Sequence, residues 1–148
     1  MSSNIRMMTR TDKSEVVDMM RVFYASPAVL SNGSETIFEN DVENCVNDSP
    51  YLEGYIIEDL ATGIIQGYAM VAKSFSTEFG KPCMWIEDLY IKDEYRGQGI
   101  GSDVLKFISD KYSDKAVIRL EVERENERAV AVYKKCGFEE LPYMEMKK

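Results

Sequence analysis

Histidine is absent from this 148-residue chain. That removes Ser-His and Cys-His nucleophilic sites and most zinc sites. Any general base must then be a carboxylate, a tyrosine, a cysteine or a water chain. Cysteine is scarce: Cys45, Cys83 and Cys136 are odd in number, form no C-x-x-C pair and read as reduced core thiols. No apolar run approaches the roughly 18 residues of a membrane span. The stretch Met1-Ser2-Ser3-Asn4-Ile5-Arg6 lacks the apolar segment of a secretory signal, so a cytoplasmic protein is expected. Basic residues are outnumbered, 18 against 26 acidic, and the net charge of −8 disfavours nucleic acid and anionic membranes as partners. The same field leans toward a small cationic substrate. Repeats and low-complexity tracts are missing too, and 45% apolar residues suffice for a core, so residues 1–148 read as one domain.

What the chain does have is concentrated in residues 85–102. Residues 84–91 are bulky and apolar apart from Glu87 and Asp88, which suits a central strand. Ile100, Val104, Leu105, Ile108 and Tyr112 then recur at helical spacing, so a helix begins inside a glycine cluster. Its free amides and positive dipole end face whatever precedes it. Gly97, Gly99 and Gly101 let a large anion approach the backbone, and Arg96 adds a guanidinium that can fork onto phosphate oxygens. The spacing is G-x-G-x-G with Ser102 next, which fails the dinucleotide fingerprint G-x-G-x-x-G. No Gly-Lys-Ser or Gly-Lys-Thr follows, which fails the other common phosphate loop.

The remaining elements fall in order. Ile5 and Met7 suggest a short strand. Asp12 with Glu15 reads as a capping box for a helix carrying Val16, Met20 and Phe23, ended by Ser26-Pro27. A loop over 27–34 leads to Ser34, the cap of a second helix with Phe38, Val42, Cys45 and Val46 on its apolar face. Strands over 55–58 and 64–72 form a hairpin, and the polar segment 73–82 returns the chain to the central strand. A strand over 116–122 follows the glycine helix. Asn126 caps a short helix bearing Ala129, Val132, Tyr133 and Cys136, Gly137 ends it, and 138–146 reads as a last strand. The order β-α-α-β-β-β-α-β-α-β predicts an α/β protein with a mixed sheet and helices on both faces.

Two stretches resemble the GNAT superfamily of acetyl-CoA-dependent N-acetyltransferases. One is Arg96-x-x-Gly99-x-Gly101 between a strand and a helix; the other is Asn126-x-x-Ala129-x-x-x-Tyr133-x-x-Cys136-Gly137-Phe138. The resemblance is specific between about residues 84 and 138. It implies a mostly antiparallel, twisted sheet of six to seven strands flanked by about four helices, with acetyl-CoA as cosubstrate, no metal, and a homodimer. Pyrophosphate would lie on Arg96, Gly97, Gln98, Gly99, Ile100, Gly101 and Ser102. Leu89, Tyr90 and Ile91 would line the pantetheine arm, the Leu89 amide would serve as oxyanion donor, and Asn126 would also touch the cofactor. In this family the tyrosine at the place of Tyr133 commonly protonates the departing sulfur; read on spacing alone, Tyr133 is a core aromatic. Glu-Asp before Leu-Tyr-Ile resembles the polyamine-type members, where the glutamate is the base.

Acetyl transfer to an amine needs a neutral nucleophile, a stabilised oxyanion and a protonated leaving group. A free alkyl amine titrates near 10.4 and a thiol near 8.5, so a base must act first and an acid later. Strand alternation puts Glu87 and Asp88 on opposite faces, and burial would raise either toward a useful base. Glu87 as base and a water relay past it stand side by side; Asp88 reads as structural or as a substrate contact. Candidate acceptor groups are Tyr24, Glu35, Phe75, Glu78, Trp85, Glu87 and Asp88, through charge or cation–π contact. The leading expectation is an N-acetyltransferase for a small primary amine, polyamine- or aminoglycoside-like. A protein or peptide acetyltransferase and a non-catalytic acyl-CoA sensor are the competing expectations.

Overall fold

Two neighbouring strands carry the sheet. β3 (Ile65–Ser76) and β4 (Lys81–Ile91) pair antiparallel along nearly their full length in the computed structural model. It describes residues 3–148, so Met1 and Ser2 of the expected single domain lie outside it. β2 (Leu52–Asp59) and β1 (Ser3–Met7) extend the sheet on one side, and β5 (Val117–Leu120) joins parallel to β4 on the other, giving the order β1-β2-β3-β4-β5.

Helices cover both faces because each has one apolar stripe. α1 (Lys13–Tyr24) and α2 (Glu35–Val46) pack Val16, Met20, Phe38 and Val42 onto Tyr68, Met70 and Tyr90 of the sheet. α3 (Ile100–Tyr112) packs Ile100, Val104, Leu105 and Ile108 against Tyr55, Ile57, Val71 and Ile86 on the opposite face. α4 (Glu127–Lys135) adds Val132 and Tyr133 to that second cluster. The α/β class, the mixed sheet and the placement of helices stand as expected.

Several details differ. The described residues form five strands, not six or seven. The segment 138–146 is not a strand: Pro142 removes one ladder donor, and residues 142–148 are all exposed. The polar stretch 73–82 is mostly strand, since the ladder continues through Ser74–Cys83 to Ser76–Lys81 and only 77–80 turn. Polarity there reflects a hairpin end standing clear of the helices. Asp12 does not cap α1 with its side chain; it instead accepts from Nη1 and Nη2 of Arg6 at 2.8 and 2.9 Å and from the Thr9 amide at 2.7 Å. Ser34 does cap α2, accepting from the Ile37 amide at 3.2 Å, and Gly137 ends α4 at φ +96°.

Candidate active site

The site is made by an irregularity in β4. Met70 sits opposite Asp88, but Val71 sits opposite Ile86, so Glu87 is an extra residue, a β-bulge. Pairing with β5 ends at Ile86–Leu120, the residue before the bulge. Beyond it β4 keeps only its β3 edge. The Lys92 amide bonds the Gln66 carbonyl on that edge, so by alternation the backbone groups of Leu89 and Ile91 turn to the open side. A cleft opens there, floored by a strand whose Leu89 backbone groups have no β5 partner, while the Ile91 carbonyl is taken by the Arg96 guanidinium.

The bulge overturns the simple alternation. Ile86 and Leu89 both belong to the cluster under α3, leaving Glu87 and Asp88 together on the side of α1 and α2. Asp41 of α2 lies close enough for the charge of Glu87 to raise its own carboxyl, after desolvation. Glu87 is accessible to solvent, yet partial desolvation raises its carboxyl above the ordinary range, with Asp88 and Glu145 adding like charge. Glu121, just past β5, is pushed up to about 7 by desolvation and by Glu145, with Glu87 contributing. Asp88 is buried, accepting the Tyr68 hydroxyl at 2.7 Å and the Tyr24 hydroxyl at 3.0 Å.

After β4 a single turn, Asp93–Tyr95, delivers the chain to the glycines. Gly97 and Gly99 hold φ of +77° and +80°, which L side chains rarely adopt. Gly99 is the N-cap of α3 and no side chain caps the helix, so the amides of Ile100, Gly101 and Ser102 are left for a ligand. A Cβ at Gly99 or Gly101 would meet nothing within 4 Å, so the approach is open. An anion with several oxygens fits this end of α3. Arg96, expected over the phosphates, clasps the end of β4: its Nε donates to the Ile91 carbonyl at 2.8 Å and its Nη1 pairs with Asp93 at 2.6 Å. The guanidinium of Arg128, which sequence reasoning did not single out, comes within 3.8 Å of where a Cβ on Gly97 would sit.

Tyr133 packs in the cluster that contains Leu89, Ile91 and Leu120, with its ring edge-on to Phe138 at 6.1 Å. Burial raises its phenol, so it is protonated at neutral pH. Its hydroxyl has no hydrogen-bond partner among the described residues, where no buried polar side-chain atom lacks one, so the hydroxyl faces open space. Asn126 caps α4 through the Ala129 amide at 3.3 Å.

Of the acceptor candidates, the structure brings Tyr24, Glu87 and Asp88 together. Glu35 is turned outward to Arg21 at 2.5 Å, Glu78 accepts the Tyr143 hydroxyl at 2.6 Å, and Phe75 is an exposed residue of the hairpin end. Trp85 carries the Arg119 guanidinium over its ring at 4.6 Å, so that face already holds a cation. Asp41, Glu121, Glu145 and Tyr68 were missed. Asp41 had a signal: it falls within the helical apolar stripe of Phe38, Val42 and Cys45.

Among the described residues no group of three or more His, Cys, Asp or Glu side chains could hold a metal, and no helix is long and apolar enough to cross a membrane. A parted strand pair, a bulge and a helix N-terminus without a side-chain cap make a cleft suited to a ligand with an anionic end. Residues 18–138 match the Acetyltransferase (GNAT) family, and the chain belongs to it. It is similar to thialysine N-epsilon-acetyltransferases from Bos taurus, 40% identical over 79 residues, and Sus scrofa, 37% over 102 residues. These alignments cover 52% and 64% of this chain and 46% and 59% of those proteins, so the chain spans about half the length of the curated relatives it matches. Among solved structures, a possible acetyltransferase from Clostridium difficile 630 superposes with TM-score 0.84 at 18% identity, covering 100% of this chain and 97% of that one. The aminoglycoside N-acetyltransferase AAC(6')-Iy, solved in complex with CoA, gives 0.80 at 15% identity, covering 99% and 93%. At those identities the likeness is one of fold.

Proposed function

We propose that this chain is an acetyl-CoA-dependent N-acetyltransferase for the primary amine of a small cationic substrate. The observation that carries the reading is the position of the bulge. It sets Glu87 where β4 parts from β5, with the uncapped end of α3 following a few residues on. The α3 amides and Arg128 hold the cosubstrate's phosphates, while the open backbone edge at Leu89 and Ile91 takes the pantetheine arm. Arg96 serves by fixing the end of β4.

The amine nitrogen attacks the thioester carbonyl, forming the C–N bond. The Leu89 amide stabilises the oxyanion. Glu87, directly or through one water, takes the amine's proton, and collapse breaks the C–S bond. Tyr133, whose phenol burial keeps protonated, gives its proton to the departing thiolate. Glu87, Glu121, Glu145 and Asp41 surround the acceptor side with negative charge, which favours a cation. The names of the relatives, which act on thialysine, support the same substrate class. Three free cysteines suit a reducing cytoplasm, and a homodimer completes the reading.

A panel of acceptors with acetyl-CoA, followed by release of free thiol, tests this. It should contain thialysine, linear polyamines, an aminoglycoside and a peptide with a free N-terminus. Turnover is expected with a small polycationic amine. Turnover confined to the peptide would select the protein-acetyltransferase reading. CoA binding with no turnover on any acceptor would select an acyl-CoA sensor.

A further inference from the structure

Asp88 is 2% exposed, so no substrate reaches it, yet it keeps a carboxylate in the middle of an apolar strand. Both oxygens are taken, by Tyr68 of β3 and by Tyr24, the last residue of α1. The Tyr24 ring in turn lies on Phe38 of α2, centroids 5.2 Å apart, and on Phe23 at 5.4 Å. One side chain therefore ties β4, β3 and α1, and through a ring contact α2, at the point where the chain leaves α1. If packing were all that is needed, an apolar residue of similar size would serve at lower cost than a buried charge. What distinguishes the position is its neighbour, the bulge residue Glu87.

We propose that Asp88 is a positioning residue for Glu87: clasped by Tyr24 and Tyr68, it pins the bulge that turns Glu87 to the cleft and sets a buried carboxylate beside it. Its charge makes Glu87 a stronger base than an isolated glutamate. The kinetic consequence rests on the acetyltransferase reading; the effect on Glu87 itself does not.

The groups around the pair are acidic or neutral. Glu87 faces Asp88 on its own strand, Tyr24 of α1, Asp41 of α2, Glu121 past β5 and Glu145 of the C-terminal segment. Asp88 faces Tyr68 of β3, Tyr24 of α1, and Asp41 and Cys45 of α2. Burial, followed by Asp41, pushes Asp88 up to about 6 against the lowering effect of the two hydroxyls, so above that pH the charge is present.

The test is a pH titration of Glu87 by carbon-13 NMR of glutamate-labelled protein without substrate, in wild type, Asp88→Asn and Tyr24→Phe. It is run beside the pH dependence of kcat/KM with acetyl-CoA and thialysine. Asp88→Asn should lower the Glu87 midpoint by about one pH unit and move the acidic limb of the profile down with it. The KM for acetyl-CoA should stay within about twofold, because the substitution keeps the size of the buried side chain and leaves the α3 amides and Arg128 untouched. Tyr24→Phe keeps the ring contacts but removes one donor, so Asp88 protonates at higher pH and Glu87 moves the same way by less. Should Asp88→Asn fail to fold, Tyr24→Phe carries the test alone. An unmoved Glu87 midpoint in a folded variant overturns the proposal and leaves Asp88 a buried core polar group. Wild-type protein without turnover would instead defeat the acetyltransferase reading, while the NMR arm still judges Asp88.

Discussion

At the scale of single side chains, pH separates the acid from the base. Tyr133→Phe removes the proton donor and keeps the ring packed on Phe138, so folding and CoA affinity should barely change while turnover falls about 10²-fold. Glu87→Gln keeps shape but cannot accept a proton, so the acidic limb of the kcat/KM profile should disappear. Raising the pH should partly restore Glu87→Gln, since the amine then arrives neutral, but not Tyr133→Phe, whose thiolate still leaves unprotonated. Stopped-flow thiol release across pH checks this, and wild-type rates in both variants would return the two side chains to the core. As candidates these two were legible in the sequence, Glu87 as one of two adjacent acids in an apolar strand and Tyr133 through the resemblance of its segment to the family motif. Their partners were not. Tyr24 reaches Asp88 across 64 positions and Tyr68 across 20. Such pairings depend on strand register, and here the register shifts at the residue in question.

At the scale of elements, the N-terminus of α3 is the part proposed to hold the cofactor's phosphates, and two glycine substitutions can test it. Gly99 has φ +80°, so Gly99→Val is strained whatever the space and should cost about 1–2 kcal/mol of stability as well as cofactor affinity. Gly101 has no such backbone demand and open space around it. Gly101→Val should therefore fold as well as wild type and still bind CoA about tenfold or more weakly by calorimetry, because only the ligand meets the new side chain. Arg128→Ala should weaken CoA without loss of stability, whereas Arg96→Ala should loosen the end of β4, lowering the melting temperature as well. Unchanged CoA affinity in Gly101→Val and Arg128→Ala would make this end of α3 an ordinary turn. Helix starts were readable in advance where a cap announced them, as at Ser34 and Asn126. The extent of the β3–β4 hairpin was not, because a two-stranded end clear of the helices has no apolar alternation to show. The expected last strand failed because Pro142 interrupts the pattern over 138–146, and among the described residues the outer edge of β5 stays unpaired.

At the scale of the whole molecule, charge and ligand binding set stability together. The element order made the fold class readable, but not the gathering of acidic groups at one cleft. Asp41, Glu87, Asp88 and Glu121 all titrate above their ordinary range in the folded chain. The folded state thus keeps protons that the unfolded state has lost, so stability falls as pH rises from about 4 to about 7. Asp88, displaced to about 6, accounts for about 2–3 kcal/mol of that fall. Asp12 works the other way: Arg6 holds it below its usual range, so its contribution is present above about pH 4 and lost below. Melting temperature should accordingly pass through a maximum near pH 4, and Asp88→Asn should flatten its alkaline side. Acetyl-CoA should raise the melting temperature at every pH, because its cradle of α3 amides exists only in the folded chain. At a hundred times its dissociation constant the gain is about 2.7 kcal/mol, or roughly 5–10 °C for a domain of this size. NAD and ATP should shift it less, since neither matches an acyl-CoA cleft continued along the parted edge of β4. Differential scanning fluorimetry with the three ligands decides it: a larger shift with NAD than with CoA would mean that the end of α3 binds a different phosphate compound.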